Sequence, residues 1–259
     1  MKKILFILLL VVFLPTVVNA KWVPSPNPDP SQILDEARDD ACEHRYEDAL
    51  AKHVWYHKNA LKYRPSHYGV RLSFALSYWY SLGKSYHPAL EKMKSIRDET
   101  EENIKSGGNP CLLFDDFRSI NGVLGERGRT VSLFKWLDKN KSNVARDVFR
   151  FARPTLVREK EYILCGKYID AEVDYHQFVD SFKSYKKMAE NPEMDESLGD
   201  FAVNSFLNDV STLVALLVVN NQEKEAREIV SSAKKELDDP MFYETLEKAS
   251  RGIFPAPWP

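Results

Sequence analysis

The sequence predicts an all-α protein, an α-solenoid of about five antiparallel helix pairs, and three observations carry that prediction. Apolar residues recur at steps of three and four, as in Ile33, Leu34, Ala37 and Ala41, or Leu164, Tyr168, Ala171, Tyr175 and Phe178. No stretch alternates with the period of two that a half-buried strand needs. Short polar or glycine-bearing breaks punctuate the chain at Tyr63–Gly69, Gly83–Ser85, Lys105–Pro110, Gly125–Gly128, Lys139–Ser142 and Asn191–Gly199. Helices joined by such breaks number about ten.

The elements follow in order. Met1–Ala20 reads as a secretory signal: Lys2 and Lys3 start it, Ile4–Leu14 is an apolar run, and Val18 to Ala20 form a small-residue exit. That run is shorter than the roughly 20 residues a membrane span needs. Removal of the signal leaves 239 of 259 residues, with 34 basic against 38 acidic groups. Such a balance gives no reason to expect nucleic acid as a partner, because phosphate backbones are bound by clustered positive charge. No later segment reads as a membrane span. The expected location is outside the cytoplasm, periplasmic or secreted, in soluble form.

Residues 21–29 form a proline-rich spacer, extended by Pro24, Pro26 and Pro28. Asp29 is a good N-cap, and Pro30 suits the first helical position, where its missing N–H costs nothing. The helical-repeat domain is therefore read as 30–251, with a short capping helix after Pro240. The tail 252–259 is apolar and proline-rich, and is expected to lie against the last repeat. Cys42, Cys111 and Cys165 match no zinc spacing and read first as buried small hydrophobes. An odd count leaves at least one thiol unpaired within the chain, and any two of them could be bridged.

The repeat shows in small residues at near-equal steps. Tyr46 and Ala49, Tyr86 and Ala89, and Tyr168 and Ala171 each place an aromatic three residues before alanine. Val131 follows Leu124 and Gly125 as Ala89 follows Leu82 and Gly83, and Ala226 supplies a fifth copy. The steps are 40, 42, 40 and 55 residues, the last lengthened by an acidic loop. A small residue one turn into the second helix of a pair lets the two helices approach closely, and each pair then stacks on the next.

Leu82, Gly83, Tyr86, Ala89, Met93 and Ile96, and again Leu217 to Ala233 with Pro240 beyond, resemble tetratricopeptide-like helical repeats. The period of 40 to 42 exceeds that family's 34, and the first unit is one turn longer. The resemblance implies stacked helix pairs and binding of a protein or peptide in a groove. It implies no cofactor.

Catalytic motifs are not evident. Gly83, Lys84 and Ser85 lack the earlier glycine of a phosphate loop and read as a helix–helix turn. Asp35, Glu36, Asp39 and Asp40 read as a solvated helix face. Segment 44–87 is unusual: it holds 5 of the 6 histidines and 7 of the 12 tyrosines, with Trp55 and Trp79. His53 and His57 share a helix face and are weak candidates for chelating a metal, but their simpler reading is an aromatic layer. Groove-lining candidates are Arg71, Phe74 and Tyr78, with Arg153 and Lys160 further on. The function expected is a non-catalytic protein-binding scaffold of the cell envelope or extracellular space. The rivals are an envelope metal-dependent hydrolase using the histidine-rich segment and a structural part of an exported assembly.

Overall fold

The computed structural model describes residues 22–192, 194–195 and 197–256. The secretory leader read at Met1–Ala20 and the last three residues lie outside them. Among the described residues the protein is all-α, with thirteen α-helices, one 3-10 turn and no strand. That is more than the ten expected: the added breaks include short charged turns such as 43–45 and 159–161 and the one-residue break at Ser73. The chain divides into two compact units, one ending at Glu91 and one beginning at Lys92.

In the first unit α1 (Pro30–Cys42) begins as expected: Asp29 accepts from the Ser31 N–H at 2.8 Å and Pro30 takes the first position. α2 (Tyr46–Tyr63) follows, then a 3-10 turn at Pro65–His67, α3 (Tyr68–Leu72) and α4 (Phe74–Ser85). The break between α3 and α4 falls at Ser73, where the sequence signals none. Its hydroxyl donates to the Gly69 carbonyl at 2.7 Å, a local bond that competes with helix continuation. Gly83 is not a turn residue but part of α4; a Cβ there would meet Leu90 at 3.1 Å. The proline-rich spacer is anchored near both ends, with Pro28 buried and Trp22 edge-on to Trp55, while residues 23–27 between them are exposed.

α5 (His87–Ser106) leads into α6 (Pro110–Leu124), α7 (Arg127–Asn140), α8 (Ser142–Arg158), α9 (Tyr162–Gly166), α10 (Ala171–Ala189), α11 (Leu198–Val219), α12 (Glu223–Glu236) and α13 (Pro240–Ala249). Pro154 lies inside α8 and marks no boundary. α11 is the centre of its end of the unit: α9, α10, α12 and α13 all pack on it. It is also long and apolar enough to cross a membrane by length and composition, contrary to the sequence reading, and half of its apolar window is buried within the fold. The tail packs on α11, the first helix of the last pair, where Asn208 donates to the Ala256 carbonyl, and reaches beyond it to α9, where Phe254 stacks on Tyr162 at 4.0 Å.

One turn recurs. After α1, α6, α8 and α11 a residue adopts a left-handed conformation: His44, Gly125, Lys160 and Asn221, with φ between 59° and 72°. In each case the next N–H closes a bond five residues back, from Arg45 to Asp40, Glu126 to Asn121, Glu161 to Leu156, and Gln222 to Leu217. Five residues past the left-handed position stand Ala49, Thr130, Cys165 and Ala226, all buried. The residue at this place after α8 is Cys165; Ala171 is the half-buried first residue of α10. Buried Cys165 fits the small-hydrophobe reading, and burial pushes its thiol up to about 12. Cys42 is exposed and Cys111 half-buried, so that reading fails for both. Beside Cys165, Gly166 is required by contact: a Cβ would come within 2.0 Å of the Asn220 side-chain oxygen. The Asn220 amide is held there by the Tyr162 and Leu216 carbonyls.

Candidate functional site

The aromatic-rich segment of the first unit sorts into a buried foundation and an exposed face. Trp79 is the centre of the foundation, fully buried, with its indole N–H donating to the Ala89 carbonyl at 2.9 Å. His53 stacks on its ring and His57 meets it edge-on. Burial holds both imidazoles neutral, lowering His53 to about 4 and His57 to about 3. They form the aromatic layer of their simpler reading. The described residues contain no group of three His, Cys, Asp or Glu able to hold a metal ion.

Arg71 belongs to this foundation. It is 5% exposed and its guanidinium donates to the His57 carbonyl at 3.3 Å, so it does not line an open groove. The placement with Phe74 and Tyr78 assumed one uninterrupted helix, and the break at Ser73 removes that assumption. Phe74 and Tyr78 do share a face of α4, one turn apart. Phe74 is 62% exposed. Over the Tyr78 ring, 4.6 Å from its centre, lies the guanidinium of Arg38 from α1. The cation expected beside these aromatics is therefore present, but from another helix. Nearby on α2, Trp55 stacks on exposed Tyr63 and receives Trp22, which extends the unit's aromatic surface.

Two polar clusters brace this unit, and neither is legible in local sequence. Asp40, read as solvated, is 3% exposed; it accepts from Lys52 at 2.7 Å and from the Arg45 Nε at 2.9 Å. Desolvation pulls the Lys52 ammonium down, but its hydrogen bonds to the Asp40 and Glu36 carboxylates outweigh it and leave the group raised. His67 joins Ser31 of α1 at 3.3 Å to Tyr56 of α2 at 2.8 Å, while Arg64 donates to the same serine hydroxyl at 2.7 Å. This chain ties the start of α1 to the turn after α2. The contacts that tie helices together could not be foreseen, since Asp40 and Lys52 are 12 residues apart, Tyr56 and His67 are 11 apart, and Ser31 and His67 are 36 apart.

Arg153 and Lys160, in the second unit, are not brought together with any of these. Arg153 pairs with Asp174 at 3.3 Å and covers the Phe178 ring, bracing α8 against α10. Lys160 is the left-handed residue after α8, so its position answers to the backbone turn. Compared with known proteins, the chain matches no family model, no curated protein and no solved structure.

Proposed function

We propose that the protein is a non-catalytic binding scaffold, working in the cell envelope or extracellular space, whose first unit holds a partner protein. The observation that carries this reading is the exposed Phe74 beside Tyr78 with Arg38 over its ring, in a unit whose aromatic layer around Trp79 is buried. Large aromatics on a rigid base bind with little loss of side-chain entropy, and an adjacent guanidinium suits a carboxylate-bearing segment. Export rests on the character of Met1–Ala20, and stacking of helix pairs on the recurring left-handed turn and the buried small residue after it. The rival metal-dependent hydrolase has less support, because His53 and His57, its intended ligands, are packed against Trp79.

Phe74→Ala and Arg38→Ala should each abolish capture of a partner from native extracts. Both side chains lie at the surface, so melting temperatures should stay within about 2 °C, consistent with the roughly 0.5 kcal/mol expected of surface changes. Met241→Ala, at an exposed position of α13 in the second unit, is the control and should capture normally. Equal capture by all three variants, or no partner for the unaltered protein, would defeat the reading.

A further inference from the structure

A second binding surface lies on α8, within the second unit. Arg146, Arg150 and Arg153 stand four and three residues apart, so they form a row along one side of the helix. Each guanidinium lies over an aromatic ring: Arg146 is 5.6 Å from the centre of Tyr168, Arg150 4.5 Å from Phe151 and Arg153 4.7 Å from Phe178. Tyr168 is a fixed platform, buried against Phe134 and Phe149, with its hydroxyl donating to Asp138 at 2.7 Å. Arg153 is largely enclosed and holds the Asp174 carboxylate at 3.3 Å. Arg146 and Arg150 are exposed, and neither forms an ion pair among the described residues. Exposed Asp147, next to Arg146 and three residues before Arg150, pairs with neither. Elsewhere exposed arginines find a carboxylate within a turn, as Arg38 does in Asp35 and Arg251 in Glu247.

A guanidinium laid on a ring keeps its N–H edge free, and that edge matches a carboxylate. Arg153 uses it for Asp174, and Arg146 and Arg150 present the same ring-backed fork to solvent. Resting on a ring also leaves each side chain less freedom to lose on binding. Spacing then selects the ligand. Four residues of helix rise about 6 Å. Side chains on one face of an extended chain repeat about every 6.8 Å, and adjacent ones point to opposite faces. Two carboxylates at alternate positions of an extended segment therefore match the two exposed guanidiniums, and two adjacent carboxylates do not. The row is short, with Asp147 within it and Asp174 at its end, in a chain of net charge −2. That suits a short acidic segment and not a long polyanion, which needs clustered positive charge. We infer that Arg146 and Arg150 bind an extended segment of a partner protein whose carboxylates stand two residues apart.

Nuclear magnetic resonance titration of the purified protein at low salt tests this. The probe is an acetylated, amidated pentapeptide with glutamates at its second and fourth positions and serines elsewhere. A comparison peptide carries its glutamates side by side. Saturable shifts from the probe should be confined to α8 and the residues around Tyr168, and should weaken as salt is raised. Arg146→Gln and Arg150→Gln should each weaken binding about 2- to 5-fold, the range of one exposed ion pair, and the double variant should not saturate. Arg158→Gln, at an exposed arginine of α8 outside the row, is the control and should bind normally. These variants leave Arg38 and Phe74 unaltered, so capture through the first unit should not change with them. The inference is overturned if the probe does not saturate, if the comparison peptide binds as tightly, or if the double variant binds as the unaltered protein does. Arg158→Gln weakening binding as much as Arg146→Gln would also overturn it. Tripolyphosphate binding the same residues more tightly than the probe would assign the row to phosphate groups instead.

Discussion

The unit ending at Glu91 and the unit beginning at Lys92 bury their helices by different means. Among the described residues, the first encloses five acidic, basic or imidazole side chains, Asp40, Lys52, His53, His57 and Arg71, whereas the longer second encloses two, Arg97 and Asp115. From α10 onward the second unit's core is built from residues such as Phe178, Phe206, Val210, Leu213 and Phe242, stacked around α11. Short units have little apolar area to bury per residue. The first unit supplements its core with charge pairs and with imidazoles packed on indole, and those supports depend on protonation. The second unit's hydrocarbon contacts do not. Stability of the first unit therefore depends on histidine protonation in a pH range where the hydrocarbon core of the second does not titrate.

Acid should separate the two most sharply. His53 and His57 are lowered in the folded state, so below the ordinary histidine range of about 6.5 the unfolded chain takes up protons that the folded unit refuses. Stability of the first unit is full above that pH and falls as pH drops, by about 1.4 kcal/mol per pH unit for each histidine, until the folded values near 4 and 3 are reached. In the second unit, Glu101 and Asp138 are depressed carboxylates: Glu101 by bonds from Lys105 and Arg129 that outweigh its larger desolvation, Asp138 by bonds from Tyr168 and Lys167. Their support is lost only as pH falls below the ordinary carboxylate range. Hydrogen exchange at pH 5 should show α2 and α4 opening while α11 stays protected. Equal loss of protection in α2 and α11 would break the comparison.

The buried charge pair gives the next effect. Asp40→Ala leaves Lys52 with Glu36 as its one remaining carboxylate and Arg45 with Glu43 alone. The cost should be about 3 kcal/mol in the first unit, since a buried charge stripped of its partner is strongly destabilising. Chemical denaturation should show Asp40→Ala with Lys52→Met to be less damaging than Asp40→Ala alone. A double variant weaker than the single one would mean that the lysine, not the pair, is what the unit needs.

The smallest effect sharpens the comparison from the other side. Lys160 occupies a left-handed position, which costs a side-chain-bearing residue about 1 kcal/mol. Lys160→Gly should therefore raise the melting temperature of the second unit by a few degrees and leave the first unchanged. A fall instead would show that the lysine side chain contributes something beyond the turn.

Legibility followed sequence distance. The Asp29 and Pro30 start of α1 was readable because a cap involves residues two apart, and the buried alanines at 49, 89 and 226 because helix contact selects small side chains. The aromatic-to-alanine spacing at Tyr168 and Ala171 is also local, but the left-handed turn at Lys160 puts Cys165 where the other turns put Ala49, Thr130 and Ala226. Phe74 and Tyr78 were legible as a pair on one face. Arg71 was not, because nothing in the neighbouring residues announces the break at Ser73 that turns it inward.

Sequence by itself determined the helical class, the cap of α1, the concentration of histidine and tyrosine before Glu91, and the need for small residues where helices meet. Each follows from periodicity or from bonds spanning a few residues. Tertiary structure alone decided that Asp40 faces Lys52, that Arg38 and not Arg71 is the cation on Tyr78, that His67 links Ser31 to Tyr56, and that Arg153 of α8 meets Asp174 of α10. Those contacts join residues from different helices. Which of several chemically equivalent partners a side chain meets depends on how the helices are packed, and that is set by the whole apolar surface each must bury.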